Sequence, residues 1–248
     1  MRNIIILFSV FFSFIIFGNN IEDLIKEGDI LYEQRGDINK AFLALKKYRE
    51  VLTFQPGNYE ALWKTAKTTH YLVDEINSVK EQKKIVDIGV KASKKAIKTD
   101  PGRAEGYFWL SVNYAKSGQV RGVLKSLFLI SPIKKNMRKV IKINEAYEGG
   151  AAYITLGRVY SQVPGLLGGS NRKALENLQK AKKICSTNPL TYLFLAEVFR
   201  DRGDLQMAVK TLKELEKMEV DKRWIPETIK KKKEGRELLK KYKLEMLK

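Results

Sequence analysis

The chain has 248 residues, of which 44% are hydrophobic, and this composition supports a packed core and excludes a globally disordered chain. Its single cysteine, Cys185, excludes an internal disulfide and a thiolate metal site, and its single histidine, His70, leaves almost nothing for a histidine-based one. Lysine and arginine number 47 against 28 acidic residues, and this net charge of +19 either attracts anionic partners or, because the lysines are spread along the whole chain, only solvates the surface.

The chain begins with Arg2 and then an uncharged apolar run from Ile4 to Phe17. That run has the length of a signal-peptide core and is short for a membrane span of about 20 residues. We therefore predict that residues 1–18 form a signal peptide or an N-terminal anchor, and that the protein is exported, either periplasmic or membrane-anchored facing the periplasm. Gly18 suits the last position before a cut, whereas Ile16 occupies a position that prefers a small residue, so both outcomes stay open.

Residues 19–220 repeat a two-helix pattern that is typical of tetratricopeptide proteins. Small residues let the paired helices approach closely, larger aromatic residues fill the gaps between neighbouring pairs, and a proline such as Pro56 or Pro101 stops the second helix. We therefore predict an all-α fold, a right-handed tetratricopeptide-like solenoid of about five helix pairs followed by a C-terminal capping helix.

In chain order, the first unit is the weakest match and the fifth, residues 188–218, is the clearest. The packing positions of the later units are Trp63, Ala66, His70, Gly89, Ser93 and Ala96 in the second, Tyr107, Leu110, Ser111 and Tyr114 in the third, Tyr153, Leu156, Gly157, Tyr160, Ala174, Leu178 and Ala181 in the fourth, and Tyr192, Leu195, Ala196, Phe199, Ala208, Leu212 and Leu215 in the fifth.

The second, third and fourth units are longer than the standard repeat of about 34 residues. They carry about 10, 10 and 5 extra residues at the corner between their two helices, judged from the spacing of the packing positions. Two interpretations remain open. Either the extra residues project from one face of the solenoid, often the binding face, or they simply lengthen the helices.

A glycine-rich stretch from Pro164 to Gly169 precedes the second helix of the fourth unit. Glycine-rich loops that open helices often bind phosphate, but a nucleotide loop needs a preceding strand and a following Gly-Lys-Ser/Thr. Neither is present, because the chain continues Gly169-Ser170-Asn171-Arg172. We therefore predict a structural corner, with Ser170 or Asn171 capping a helix that begins near Arg172.

Residues 221–248 are basic, with 11 Lys or Arg and 5 Asp or Glu. Pro226 suits the first turn of a helix, and a rough apolar stripe that includes Leu238 and Tyr242 predicts that this helix caps the solenoid. The alternative is that Lys230–Lys233 bind an anionic surface, either a membrane or a nucleic acid. Aromatic residues are sparse and no base-reading motif occurs, so a nucleic-acid partner is not favoured.

In such a solenoid, the first-helix positions that do not pack internally line a concave groove. Aromatic residues beside a few polar groups there suit a peptide, a partner surface or an amphipathic small molecule. The repeat register assigns to this groove Thr68 and Tyr71 of the second unit, Phe108, Trp109, Val112 and Asn113 of the third, Arg158, Ser161 and Gln162 of the fourth, and Glu197 and Arg200 of the fifth. Trp109 also suits packing between repeats, and Asn113 would need a partner if it were buried.

No group of residues in the sequence combines a nucleophile, a base and an orienting partner. His70 occupies a packing position, Cys185 has no second histidine near it, and Glu145 and Glu148 belong to an ordinary corner. We therefore predict that the protein is not an enzyme and uses no cofactor.

Two stretches, "GYFWLSVNYAKSG" (residues 106–118) and "LGRVYSQVPGLLGGSNRKALENLQKA" (residues 156–181), together with the export segment, resemble the periplasmic T-component proteins of bacterial TRAP-type transporters. The resemblance covers roughly residues 60–216. It implies a helical-repeat scaffold that binds a periplasmic solute-binding protein, with small hydrophobic or organic ligands and a homo-oligomeric assembly. The helices around Tyr107–Tyr114 and Leu156–Tyr160 are also similar to the regulator-of-microtubule-dynamics proteins, which share the repeat layout; this similarity supports the fold and not a shared role.

Overall fold

The computed structural model describes residues 21–247, so the predicted signal or anchor segment, residues 1–18, lies outside the described residues. All regular secondary structure in this part of the chain is helical. The helices are α1 (21–33), α2 (Ile38–Phe54), α3 (Tyr59–Glu75), α4 (Val79–Thr99), α5 (Ala104–Arg121), α6 (Val123–Ile143), α7 (Ala151–Gln162), α8 (Asn171–Ile184), α9 (Pro189–Asp201), α10 (Leu205–Lys217) and α11 (Ile225–Glu245), with short 3-10 turns at Gly165–Leu167 and Lys222–Trp224.

Consecutive helices pack against each other as five antiparallel pairs, α1–α2 to α9–α10, and α11 packs on α10 and α9. This arrangement confirms the predicted tetratricopeptide-like solenoid with five helix pairs and a further C-terminal helix. Pro226 lies in the first turn of α11, as predicted. Among residues 21–247, no helix combines the length and the apolar composition needed to cross a bilayer.

Short polar side chains set the starting points of most helices by accepting a hydrogen bond from a backbone N–H of the first turn. Asn58 caps α3 through the Ala61 N–H, and Ser78 caps α4 through the Glu81 N–H. Ser170 caps α8 through the Lys173 N–H, which confirms the first of the two predicted caps. The starts of the capped helices therefore follow from local sequence.

The extra residues of the second and third units lengthen the helices. α3 to α6 have 17, 21, 18 and 21 residues, whereas α9 and α10 have 13 each. Only in the fourth unit do the extra residues form a projecting corner, between Gln162 and Asn171. The projecting-loop interpretation is therefore wrong for the second and third units and correct for the fourth.

The helices of a pair approach closely where small residues face large ones. Ala174, Leu178 and Ala181 of α8 are fully buried, and Leu178 packs directly over Gly157 of α7. A Cβ at Gly157 would lie 2.6 Å from the Cγ of Leu178 and 3.2 Å from the carbonyl oxygen of Ala174. The contact leaves no room for a side chain at this position.

We expect Gly157→Ala to destabilise the protein by about 1–2 kcal/mol, because overpacking outweighs the helix propensity gained, about 1 kcal/mol. Gly57→Ala is the control, because nothing lies within 4 Å of a Cβ at Gly57, and its effect should stay within about 0.5 kcal/mol. Urea unfolding of both variants checks this expectation, and equal midpoints would contradict the close approach of α7 and α8.

Candidate functional site on the inner face

The inner face is the surface formed by the first helices of the pairs, α1, α3, α5, α7 and α9. An aromatic cluster from α5 and the corner after α6 lies on it. The Trp109 ring meets Phe108 edge-on at 4.9 Å, and its Nε1 donates a hydrogen bond to the Tyr147 hydroxyl at 2.9 Å. Phe108 and Tyr147 are also edge-on, at 5.3 Å. Tyr147 thus anchors the corner before α7 to the aromatic side of α5.

Lys67 of α3 lies among three aromatic rings of the inner face. Its ammonium is 5.1 Å from the centre of the Tyr32 ring, 5.9 Å from that of Trp63 and 5.8 Å from that of Trp109. Glu148, in the same corner as Tyr147, pairs with it at 3.4 Å. The ring faces and one carboxylate together offset the cost of holding this charge partly away from water.

Arg35, in the turn after α1, joins the first repeat to the C-terminal helix. It is only 5% exposed, and it binds both carboxylate oxygens of Glu227 in α11, at 2.9 and 2.8 Å. It also donates to the Arg223 carbonyl at 2.7 Å and lies 4.7 Å from the Tyr32 ring centre. This two-pronged pairing uses the planar guanidinium fully, so a lysine would not replace it.

Residues 221–230, called here the C-terminal segment, make further contacts on both sides of the inner face. Asp221 accepts a hydrogen bond from Thr187, beside the start of α9, at 3.0 Å. Trp224 packs over Gly149, where a Cβ would lie 2.8 Å from the ring. Lys230 pairs with Glu75, at the end of α3, at 3.0 Å. The segment therefore spans from the fourth and fifth repeats to the first and second, and it occupies part of the inner face.

The structure corrects the placement of five predicted groove residues, Thr68, Phe108, Trp109, Val112 and Asn113, which are all buried. Thr68 donates to the Lys64 carbonyl at 2.8 Å, and Asn113 donates to the Ala66 and Trp109 carbonyls at 2.9 and 2.8 Å. They are buried because α3, α4 and α5 are long and pack along most of their length, and because Tyr147 covers α5. For Trp109, packing between repeats is the correct alternative.

The other predicted groove residues remain at least partly accessible and fall into two places. Tyr71 lies beside the C-terminal segment, edge-on to Tyr32 at 6.4 Å. The rest lie on α7 and α9: Arg158 pairs with Glu197 and stacks on Phe194 at 4.4 Å, Ser161 donates to the Arg158 carbonyl at 2.9 Å, Gln162 is exposed, and Arg200 pairs with Glu245 at 3.3 Å.

Sequence reasoning missed the residues that organise the inner face: Tyr32, Arg35, Lys67, Glu148 and Glu227. Arg35 stands in a short Arg-Gly-Asp turn that looks like any polar turn, and its partner is 192 positions away. No local signal marks such a pair. Only the glycines at 149 and 150, both with positive φ, single out the corner that carries Glu148.

The Pro164–Gly169 corner is a structural turn, as predicted. The Ser170 N–H donates to the Tyr160 carbonyl at 2.8 Å, which closes the turn on α7. A Cβ at Gly169 would lie 1.6 Å from the carbonyl oxygen of Val163, so only glycine fits there. No strand precedes this corner in the described chain.

An open depression of about 310 Å³ lies on the side of α10, outside the inner face. It is lined by Gln206, Val209, Lys210, Lys213, Glu214 and Lys217. Within residues 21–247, no three His, Cys, Asp or Glu side chains come together as metal ligands.

Four of the eight basic residues of α11 bind carboxylates or carbonyl groups of the chain. Lys230 binds Glu75, Lys231 binds Glu234 at 2.7 Å, and Lys232 donates to the Glu216 and Met218 carbonyls at the end of α10. Two of the four lysines in the predicted anionic-surface site, Lys230 and Lys232, therefore serve the contact between α11 and the repeats, and Lys231 is paired within α11 itself.

Known proteins resemble this chain both in sequence and in fold. The profile of the family described as "Regulator of microtubule dynamics protein 1-3" matches residues 24–166. No curated protein sequence matches the chain significantly. Among solved structures, a thermophilic TPR protein of Thermus thermophilus is similar at 20% identity and a TM-score of 0.64, over 90% of this chain and 99% of that one. PilF of Pseudomonas aeruginosa is similar at 16% identity and a TM-score of 0.58, over 92% and 91%. These similarities establish the TPR fold.

We expect Glu227→Gln to destabilise the protein by about 1–3 kcal/mol, because it leaves the buried Arg35 without its charged partner. Hydrogen exchange of α11 should also become faster, since the first turn of that helix loses its attachment to the first repeat. Glu237→Gln, an exposed change on the same helix, is the control. Indistinguishable exchange in the two variants would show that the ion pair does not hold the C-terminal segment in place.

The stability of the protein should fall as the pH decreases from about 6.5 towards 4. Burial, reinforced by the charge of Lys116, lowers the pKa of His70 from its ordinary 6.5 to about 4. The unfolded chain therefore binds a proton in this window that the folded chain does not, which costs up to about 1.4 kcal/mol per pH unit. Above pH 6.5 both states are neutral at this residue and its contribution is constant.

The variant His70→Phe isolates this effect, because the protein has no other histidine. The difference in unfolding free energy between wild type and variant, measured in urea at pH 7 and pH 5, should change by more than about 1 kcal/mol. A difference that stays constant with pH would mean that His70 titrates normally.

Proposed function

The chain belongs to the regulator of microtubule dynamics protein 1-3 family, and we propose that it uses its TPR-like scaffold to hold an acidic segment of a partner protein on the inner face. One observation carries this proposal. The inner face already holds a polypeptide segment, the chain's own residues 221–230, through an arginine–carboxylate pair and an aromatic contact. A partner segment with the same chemistry would bind in competition with it.

The inner-face residues that contact the C-terminal segment favour a ligand that is both acidic and apolar. Arg35 offers a rigid fork to a carboxylate, and half-buried Tyr71 lies beside it, with the guanidinium 5.7 Å from the ring centre. Aromatic and arginine side chains are the groups that most often dominate the energy of protein interfaces. Glu227 shows the geometry that an incoming glutamate or aspartate would adopt.

We extend the proposal to the identity of the partner and to the compartment in which the two proteins meet. From residues 1–18 we propose that the protein is exported, so that its partner is a periplasmic protein. The corner at Pro164–Gly169, on which the resemblance to TRAP T-components depends most, is exposed, and it supports a solute-binding protein of such a transporter as the partner. A small hydrophobic or organic ligand has less support, since the depression noted above lies on α10 and outside the inner face.

Site-specific photo-cross-linking in the source cells tests the proposal. A cross-linking residue in place of Tyr71 should capture a partner protein, whereas one in place of Lys91, an exposed residue on the second helix α4, should not. Adding Glu227→Gln should raise the yield at position 71 severalfold, because it weakens the competing C-terminal segment. Equal capture at both positions, or an unchanged yield at position 71 with Glu227→Gln, would contradict binding where the C-terminal segment lies on the inner face.

Trp109→Ala is not a suitable variant for testing the inner face. Trp109 is buried and bonded to Tyr147, so its removal would cost about 3–5 kcal/mol of stability and abolish binding through unfolding. Tyr71 and Arg158 are only partly buried, so their replacement disturbs the packing less.

A further inference from the structure

Helix α6 carries only basic charges. Among its 21 residues there are six lysines or arginines and no aspartate or glutamate. The basic residues are Lys125, Lys134, Lys135, Arg138, Lys139 and Lys142. Its buried face consists of Leu129, Ile133, Met137 and Val140, which face the core.

The opposite, outward face of α6 begins with large apolar side chains. Leu124 and Phe128, one helical turn apart, are 76% and 78% exposed, and neighbouring Leu127 is 38% exposed. Pro132 follows one turn later and has no N–H to donate to the Phe128 carbonyl. These apolar residues contribute little to the core, and contiguous exposed apolar residues of this kind mark interaction sites.

The same outward face continues as a basic surface. Lys135, Arg138, Lys139 and Lys142 are exposed. Within residues 21–247, no carboxylate lies within ion-pair distance of any of the six basic side chains of α6. In the same part of the chain, eleven other lysines and arginines pair across helices or turns: Arg35, Lys47, Lys64, Lys67, Lys116, Arg121, Arg158, Lys182, Arg200, Lys230 and Arg236. This charge is therefore available to an anionic partner.

The projecting corner of the fourth repeat adds apolar side chains next to this surface. Lys134 donates a hydrogen bond to the Gly168 carbonyl at 2.9 Å, which places the corner against α6. Leu166 in that corner is fully exposed and Leu167 is half exposed. Apolar side chains thus lie at two points around a uniformly basic helix face.

We propose that this surface, the outward face of α6 with Leu166 and Leu167, docks on an anionic lipid bilayer. Leu124, Leu127 and Phe128 would enter the boundary between headgroups and acyl chains, and the basic residues further along α6 would contact the lipid phosphates. A bilayer is favoured over a protein because the apolar side chains protrude and line no groove, and because every charge has one sign. Anionic-surface binding is thereby assigned to α6, none of whose basic residues is paired with a carboxylate in the described chain, rather than to α11, where Lys230, Lys231 and Arg236 are paired.

A residue-specific probe is needed, because the apolar run Ile4–Phe17 can bring the whole chain to a bilayer by itself. In the full chain with Cys185→Ser, Phe128→Cys carries an environment-sensitive fluorophore. The control is the same label at Ile229→Cys, an exposed apolar position on α11. Vesicles of phosphatidylcholine, with and without phosphatidylglycerol, are then added.

We expect a blue shift at position 128 with the anionic vesicles, little shift with phosphatidylcholine alone, and none at position 229. Lys135→Gln with Lys142→Gln should weaken the binding reported at position 128 by about fivefold for each charge removed. Lys233→Gln with Lys240→Gln, an equal loss of charge on α11, should leave it nearly unchanged.

Two results would overturn the proposal. One is an unchanged spectrum at position 128 while sedimentation shows the protein bound to the vesicles. The other is a blue shift that appears without lipid and grows with protein concentration, which would identify the surface as a contact between two copies of the chain.

Discussion

The pairing of buried Arg35 with Glu227 is the interaction on which the arrangement of the inner face depends. Helical-repeat proteins are held together by contacts between neighbouring repeats, so their two ends have no need to meet. Here the turn after the first helix binds the last helix, and the C-terminal segment is held against the first two repeats. Because a buried arginine without a carboxylate would be costly, the pair requires this closed arrangement.

The closed arrangement determines what the inner face can offer a partner. Its two central cations, Arg35 and Lys67, share the Tyr32 ring and have one carboxylate each, Glu227 and Glu148. The face is therefore charge-balanced without any ligand, and a partner must replace an internal contact to bind there. Glu227 lies on the C-terminal segment, whereas Glu148 lies in a corner anchored by Tyr147, so Glu227 is the easier of the two to displace.

Two basic helices, α6 and α11, show how the same composition serves different roles. In α11, Lys230 and Arg236 pair with carboxylates of α3 and α10, and Lys232 donates to the free carbonyls at the end of α10, so part of its charge fastens a terminal helix to the solenoid. In α6 no basic residue pairs with a carboxylate of residues 21–247, and the apolar residues Leu124 and Phe128 are exposed. Net charge alone does not separate these cases; the neighbours of each side chain do.

The sequence by itself determined the five helix pairs, the cap of α8 and the turn at Pro164–Gly169, because periodicity, capping and glycine conformation act over a few residues. It also identified the buried faces, such as Ala174, Leu178 and Ala181. It misplaced Thr68 and Asn113 and gave no sign of Arg35 or Lys67. The surroundings of these four residues depend on how far the long helices overlap, and on where the accumulated rotation of successive repeats brings the chain ends. Small angles between neighbouring repeats add up over the whole solenoid, so only the tertiary structure decided that residue 35 meets residue 227.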